Sequence, residues 1–127
     1  MKKLVLKYPG RFALLWALVI FILCAAPGHY IPSASWLDLL SFDKLVHAFI
    51  FFVLCSLLFL YGIKNSRGSG FLSFSFSASV LYGCLLEFMQ ANYFIERTAD
   101  WNDIIANSTG CVIALFLINK FKSFYGW

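Results

Sequence analysis

From Phe12 to Asn119 the chain passes through four apolar stretches separated only by short polar segments. They cover about residues 12–26, 43–63, 71–94 and 101–119. A helix that crosses a bilayer needs about 20 mostly apolar residues. In lipid the backbone must satisfy its own N–H and C=O groups, so such runs default to helix. Composition agrees: 61% of the 127 residues are hydrophobic and 13% charged, against about 45–50% and about 25% in soluble domains. A chain this short cannot hide that much apolar surface from water. The sequence therefore predicts an all-α membrane protein, a single domain over 1–127 with four transmembrane helices. The run FLSFSFSAS at 71–79 alternates like a strand. One short alternating run cannot close a barrel, so it too is read as helix.

The charges follow the same frame. If the helices alternate in direction, Lys2, Lys3, Lys7, Arg11, Lys64, Arg67, Lys120 and Lys122 share one side. Only Lys44 and Arg97 fall on the other. The positive-inside rule then places both termini in the cytoplasm. The net charge of +4 is thus a topology signal and not a nucleic-acid footprint. Residues 27–42, with Pro27, Gly28, Pro32 and Trp36, are expected to form a short interfacial segment between the first two helices. A basic start and short apolar run also describe a secretory signal peptide. A lipoprotein cleavage box wants a small residue before the cysteine, and Leu23 precedes Cys24, so a retained first helix is preferred. Cys24, Cys55, Cys84 and Cys111 sit in four different runs without CxxC spacing and are read as packing residues.

Against this apolar frame stands GCLLEFMQANYFIERTADWNDIIANSTG, residues 83–110, which holds four of the six acidic residues. Polar groups inside a membrane protein persist where they are paired, solvated or used. Asp43 and His47 share a face of the second helix, as do Gly83, Glu87 and Gln90 on the third. Asp100, Asp103, Asn107 and Gly110 line one face of the fourth. At the rise of an α-helix, His47 lies roughly 6 Å in from the outer end, Glu87 about 10 Å and Asn107 about 9 Å. The simplest arrangement is one outward-facing polar pocket of Asp43/His47, Glu87/Gln90 and Asp103/Asn107, with Arg97 above it. Gly83 and Gly110 are expected at close helix contacts.

The ordered motifs DKLVHAF, GCLLEFMQ and ERTADWNDIIANSTG also resemble the VanZ-like family of small bacterial membrane proteins. That family shows Asp-Lys-hydrophobic-x-His, then Gly-x-x-x-Glu-x-x-Gln, then an Arg, Asp, Asn and Gly series. The match falls on Asp43, Lys44, His47, Gly83, Glu87, Gln90, Arg97, Asp103, Asn107 and Gly110, over roughly residues 40–115. Glu96 departs from the pattern, standing where the family usually has Gly or Pro before the Arg. The resemblance implies a cell-envelope protein of the bacterial cytoplasmic membrane. Through the founding member it implies a link to glycopeptide (teicoplanin) susceptibility.

Each polar residue has a structural and a chemical reading. Glu87 is either a buried ion-pair partner or a general acid or base. His47 shares the acid–base work or pairs with Asp43 or Glu87, and Asp103 orients one of them. Asp43, Gln90, Arg97 and Asn107 are candidate ligand contacts, with Arg97 as the anion partner. Asp100 reads as a helix cap. A metal site from His47, Glu87 and Asp103 would have a single histidine and no ligand-spaced pair, so no metal is expected, and no cofactor. The expected partners are membrane lipids and a lipid-linked or cell-wall ligand. A binding or accessory protein, an interfacial enzyme and a proton-coupled transporter all start from this cluster.

Overall fold

The structure, a computed structural model, describes residues 1–26, 42–94 and 100–126, without the side chains of Phe42 and Asp43. The expected interfacial segment lies outside the described residues, apart from the backbone of Phe42. The elements are all helical: α1 (Lys2–Lys7), α2 (Pro9–Ala25), α3 (Phe42–Lys64), α4 (Ser69–Asn92), α5 (Trp101–Phe116) and α6 (Ile118–Ser123). No strand occurs among the described residues. The alternating 71–79 run is helical within α4. Its serines bond back one turn, Ser75 Oγ to Phe71 O at 2.9 Å and Ser79 Oγ to Ser75 O at 2.8 Å, which satisfies hydroxyls that water would otherwise serve.

Two helices are long and apolar enough to cross a membrane, over Lys44–Lys64 and Ser69–Asn92. α2 is apolar but has 17 residues, and α5 has 16, so the expected set of four full-length spans is reduced to two clear ones. α2 starts earlier than expected, with Pro9 in its first turn where the missing N–H costs nothing. The last expected helix breaks at Leu117, whose N–H is shared between Ile113 O and Ala114 O. The chain then turns so that Phe121 of α6 is buried in the core.

Interhelical contacts fix the arrangement. Trp16 Nε1 donates to Ile50 O at 2.8 Å, while Gly10 meets Tyr61, so α2 and α3 run antiparallel. Tyr82 OH donates to Ala17 O at 2.6 Å and Gln90 Nε2 to Cys24 O at 3.2 Å, so α2 and α4 run parallel. Along α3 and α5 the partners also rise together: Lys44 with Asp103, His47 with Asn107, Ala48 with Gly110, Phe51 with Cys111. α3 is the central helix, packed on α2, α4 and α5. Its Phe51, Cys55 and Phe59 are fully buried.

The outside is apolar and the inside partly polar. Leu14 is 76% exposed, and Phe74, Leu81 and Phe116 also face outward. Ser75, Ser79, Glu87 and Gln90 of α4 face inward. A water-soluble helix shows the reverse, whereas exposed apolar faces of this extent suit lipid.

Two positions generate stability predictions. A Cβ on Gly110 would lie 2.0 Å from Ala48 O, against backbone that cannot give way. Gly110→Ala should therefore cost at least about 1–3 kcal/mol. Gly70→Ala, with nothing within 4 Å, should be neutral or mildly stabilising; detergent melting curves of both compare the two sites. Ser66 ends α3 at φ 53°, with Ser66 N–H returning to Ile63 O and Arg67 N–H to Gly62 O. This is a Schellman closure with serine in the left-handed position that glycine prefers. Ser66→Gly should raise the melting temperature, by about 1 kcal/mol in stability.

Candidate functional site

α3, α4 and α5 bring polar side chains to one point. Lys44 and His47 lie three residues apart on α3, and Asp103 and Asn107 four apart on α5, so each pair shares a face. Glu87 arrives from α4, one turn beyond Gly83. Glu87 is 3% exposed and Asn107 2%; Asp103 is also buried. Lys44 and His47 are half-buried. A Cβ on Gly83 would lie 2.9 Å from Asn107 Nδ2, so the glycine makes room for the amide.

Lys44 Nζ donates to Asp103 Oδ1 at 2.5 Å and to Asp100 Oδ2 at 2.7 Å. Asp100 caps α5, its Oδ1 accepting from Asn102 N–H at 2.8 Å. Its own N–H donates to Glu87 Oε2 at 3.0 Å. One residue thus joins three helices. His47 Nδ1 lies 3.0 Å from Asn107 Oδ1. An amide oxygen only accepts, so Nδ1 carries the proton. His47 Nε2 then turns toward Asp103 Oδ2, 3.6 Å away, which is too long for a hydrogen bond.

His47, Glu87 and Asp103 each offer an atom of the metal-ligating type, all within 4.8 Å of one another. Helical depth already draws the three toward one pocket, while spacing along the sequence offers no ligand pair, because they come from three helices. The described charges are three carboxylates (Glu87, Asp100, Asp103) against the single ammonium of Lys44. The arrangement is rich in acceptors. It can take hydrogen bonds from a hydroxyl or ammonium, pass a proton between imidazole and carboxylate, or hold a cation.

Of the residues singled out from sequence, Glu87, His47, Asp103 and Asn107 meet. Gln90 is buried but engaged elsewhere, closing the C-terminal end of α2 through Cys24 O. Arg97 and the Asp43 side chain lie outside the described residues. Sequence reasoning gave Lys44 no chemical role, because charge counting had absorbed it as a topology signal. Its position three residues before His47 was the available clue. Asp100 is the expected cap, and its links to Lys44 and Glu87 are additional.

The Lys44 ammonium beside Asp100, and then the Asn102 N–H, hold the Asp100 carboxyl below its ordinary range. A carboxyl depressed in the folded state contributes stability above its unfolded pKa and loses it as pH falls through the folded one. Asn also caps well, so Asp100→Asn removes the charge and keeps the cap. The melting temperature of wild type should exceed that of Asp100→Asn at neutral pH, and the gap should close in acid below the ordinary carboxylate range. A gap that stays constant with pH contradicts the ion pair.

Comparison with known proteins extends over the same elements. An uncharacterized protein of Schizosaccharomyces pombe is 35% identical over 100 residues, which is 79% of this chain. The chain spans 60% of that protein's length. No solved structure matches. The VanZ/LLP1 family matches residues 11–122, a stretch that takes in nearly all of α2, the whole of α3, α4 and α5, and every side chain of the cluster. On that match, and on the motifs that build the cluster, this chain belongs to the VanZ/LLP1 family.

Proposed function

We propose that this VanZ-like membrane protein is a multi-pass protein of the bacterial cytoplasmic membrane, with the Glu87–His47–Asp103 cluster on the extracytoplasmic side. The cluster holds the head group of a lipid or a cell-wall-related ligand. The observation that carries this reading is Glu87, buried to 3% exposure within an apolar bundle. Its one described hydrogen bond reaches Oε2 alone. A carboxylate in such a place is costly unless its acceptors are used. Glu87 and His47 each offer an atom of the ligating type within 4.8 Å of the other, so a matching ligand presents donors, as a hydroxylated or ammonium-bearing head group does. Arg97, three residues before Asp100, is the partner for the ligand's anionic part. The sidedness rests on the basic residues gathered at the opposite end. An effect on teicoplanin susceptibility would follow if the ligand is a wall precursor.

A second reading is an interfacial enzyme acting on a lipid-linked envelope substrate. The His47–Asn107 hydrogen bond favours it, because fixing the proton on Nδ1 leaves Nε2 as a base. Glu87 and His47 would share acid–base work, with Asp103 orienting the imidazole.

Glu87→Gln separates the readings, since it keeps shape and removes charge. Cells lacking the protein are profiled for membrane lipids and lipid-linked wall intermediates by mass spectrometry, then complemented at matched expression. For an enzyme, one species accumulates and wild type clears it, while Glu87→Gln is slowed about 10²–10⁴-fold. For a binding protein no species accumulates, and Glu87→Gln loses the thermal shift that extracted envelope lipids give the purified wild type. Full restoration of every phenotype and shift by Glu87→Gln would sink both.

A further inference from the structure

A second feature lies at the other end of the bundle. A groove of about 510 Å³ runs between α2, α3 and α4, within the volume range of small-molecule sites. Its walls are apolar, from Leu14, Ala17, Leu54, Leu58, Phe71 and Ala78 among others. The inner end is closed where Tyr82, which also lines it, bonds Ala17 O. From Gly10 to Ala17 the groove follows about two turns of α2, roughly 10 Å. At its outer end it shares Gly10, Arg11 and Tyr61 with a cleft of about 170 Å³ that is also lined by Lys7, Tyr8 and Lys64.

That mouth is strongly cationic. Lys7, Arg11 and Lys64 stand 5.2, 5.0 and 5.9 Å from the centre of the one Tyr8 ring. Lys64 also donates to Lys7 O. Like charges this close repel, and a π-face and a carbonyl offset them only in part. No acidic residue occurs in 1–26, 44–86 or 104–127, so the described chain at this end offers no counter-charge. The N-terminus of α2 opens here as well, with Pro9 in its first turn and no side-chain cap among the described residues. Its positive dipole end favours an anion.

We infer that this groove is a binding site for an anionic phospholipid. The phosphate sits among Lys7, Arg11, Lys64 and the start of α2, and one acyl chain lies along the apolar walls toward Tyr82. The chemistry is opposite to that of the Glu87 cluster and stands independently of any ligand there. Apolar walls alone would accept any lipid; the cationic mouth selects the charge. Basic pockets between membrane helices recognise phosphate head groups by this means.

The test uses the full chain in detergent, with bound lipid read by native mass spectrometry. Phosphatidylglycerol and phosphatidylcholine of matched acyl chains are offered together. Each cation near a phosphate contributes about fivefold. Wild type should retain the anionic lipid preferentially, and Lys7→Gln/Arg11→Gln/Lys64→Gln should lower that preference roughly a hundredfold. Lys120→Gln/Lys122→Gln should leave it unchanged. Filling the groove with Ala78→Phe should reduce retention of both lipids; if that variant elutes aggregated, Leu14→Trp at an exposed wall position replaces it. Equal retention of the two lipids by wild type overturns the inference, as does undiminished preference in the triple variant. Unchanged retention in the groove-filling variant places the chain elsewhere and also overturns it. So does an equal thermal shift from inorganic phosphate alone, which would make the mouth a site for free anions.

Discussion

The cluster depends on how closely α5 can lie against α3. At Gly110 the two backbones touch, with no space for even a methyl group against Ala48 O. Because the helices run parallel, this one contact sets their register along the whole interface. One turn away His47 faces Asn107, and one turn further Lys44 faces Asp103. A side chain at 110 would push the helices apart and lengthen each of these bonds together. Gly83 does the same on α4, where it yields space to Asn107 and Phe51. Small residues thus act here as distance setters for polar ones.

Between apolar helices in lipid there is little hydrophobic force, so close packing and interhelical hydrogen bonds hold the bundle. The donors are distributed accordingly. Trp16, Tyr82 and Gln90 each reach a backbone carbonyl of a neighbouring helix, and Tyr125 ties the C-terminal tail to Leu6 O of α1. Ser56 Oγ is the buried side-chain polar atom left without a partner among the described residues. The molecule is also divided by charge. The carboxylates of the described structure gather at one end of the helices, and Lys7, Arg11 and Lys64 at the other.

Much of this was legible in the sequence, for a physical reason. The period of a helix is fixed, so Asp103, Asn107 and Gly110 had to share a face once α5 was helical, and likewise Gly83, Glu87 and Gln90 on α4. The depths estimated from helical rise brought His47, Glu87 and Asn107 to one level. Sharing a face does not fix a partner, however. Gln90 lies on the Glu87 face yet bonds α2, because the last turn of α2 brings Cys24 O within its reach. Lys44 looked like a flanking charge, because its worth depends on which helix stands opposite. The ends of the helices were also hidden. Nothing in the apolar run before Asn119 marks the break at Leu117, which follows from docking Phe121 into the core.

Asp100 has a consequence beyond its bonds. Its carboxylate closes the first turn of α5 and meets Lys44, while its N–H serves Glu87. The residue is also where the connector from α4 enters α5. Unwinding that first turn would remove the Glu87 donor, the cap and half of the lysine's pairing in a single step. The state of a buried carboxylate is thereby thermodynamically linked to the winding of a single helical turn, and whatever holds that turn also holds one electrostatic state of the cluster.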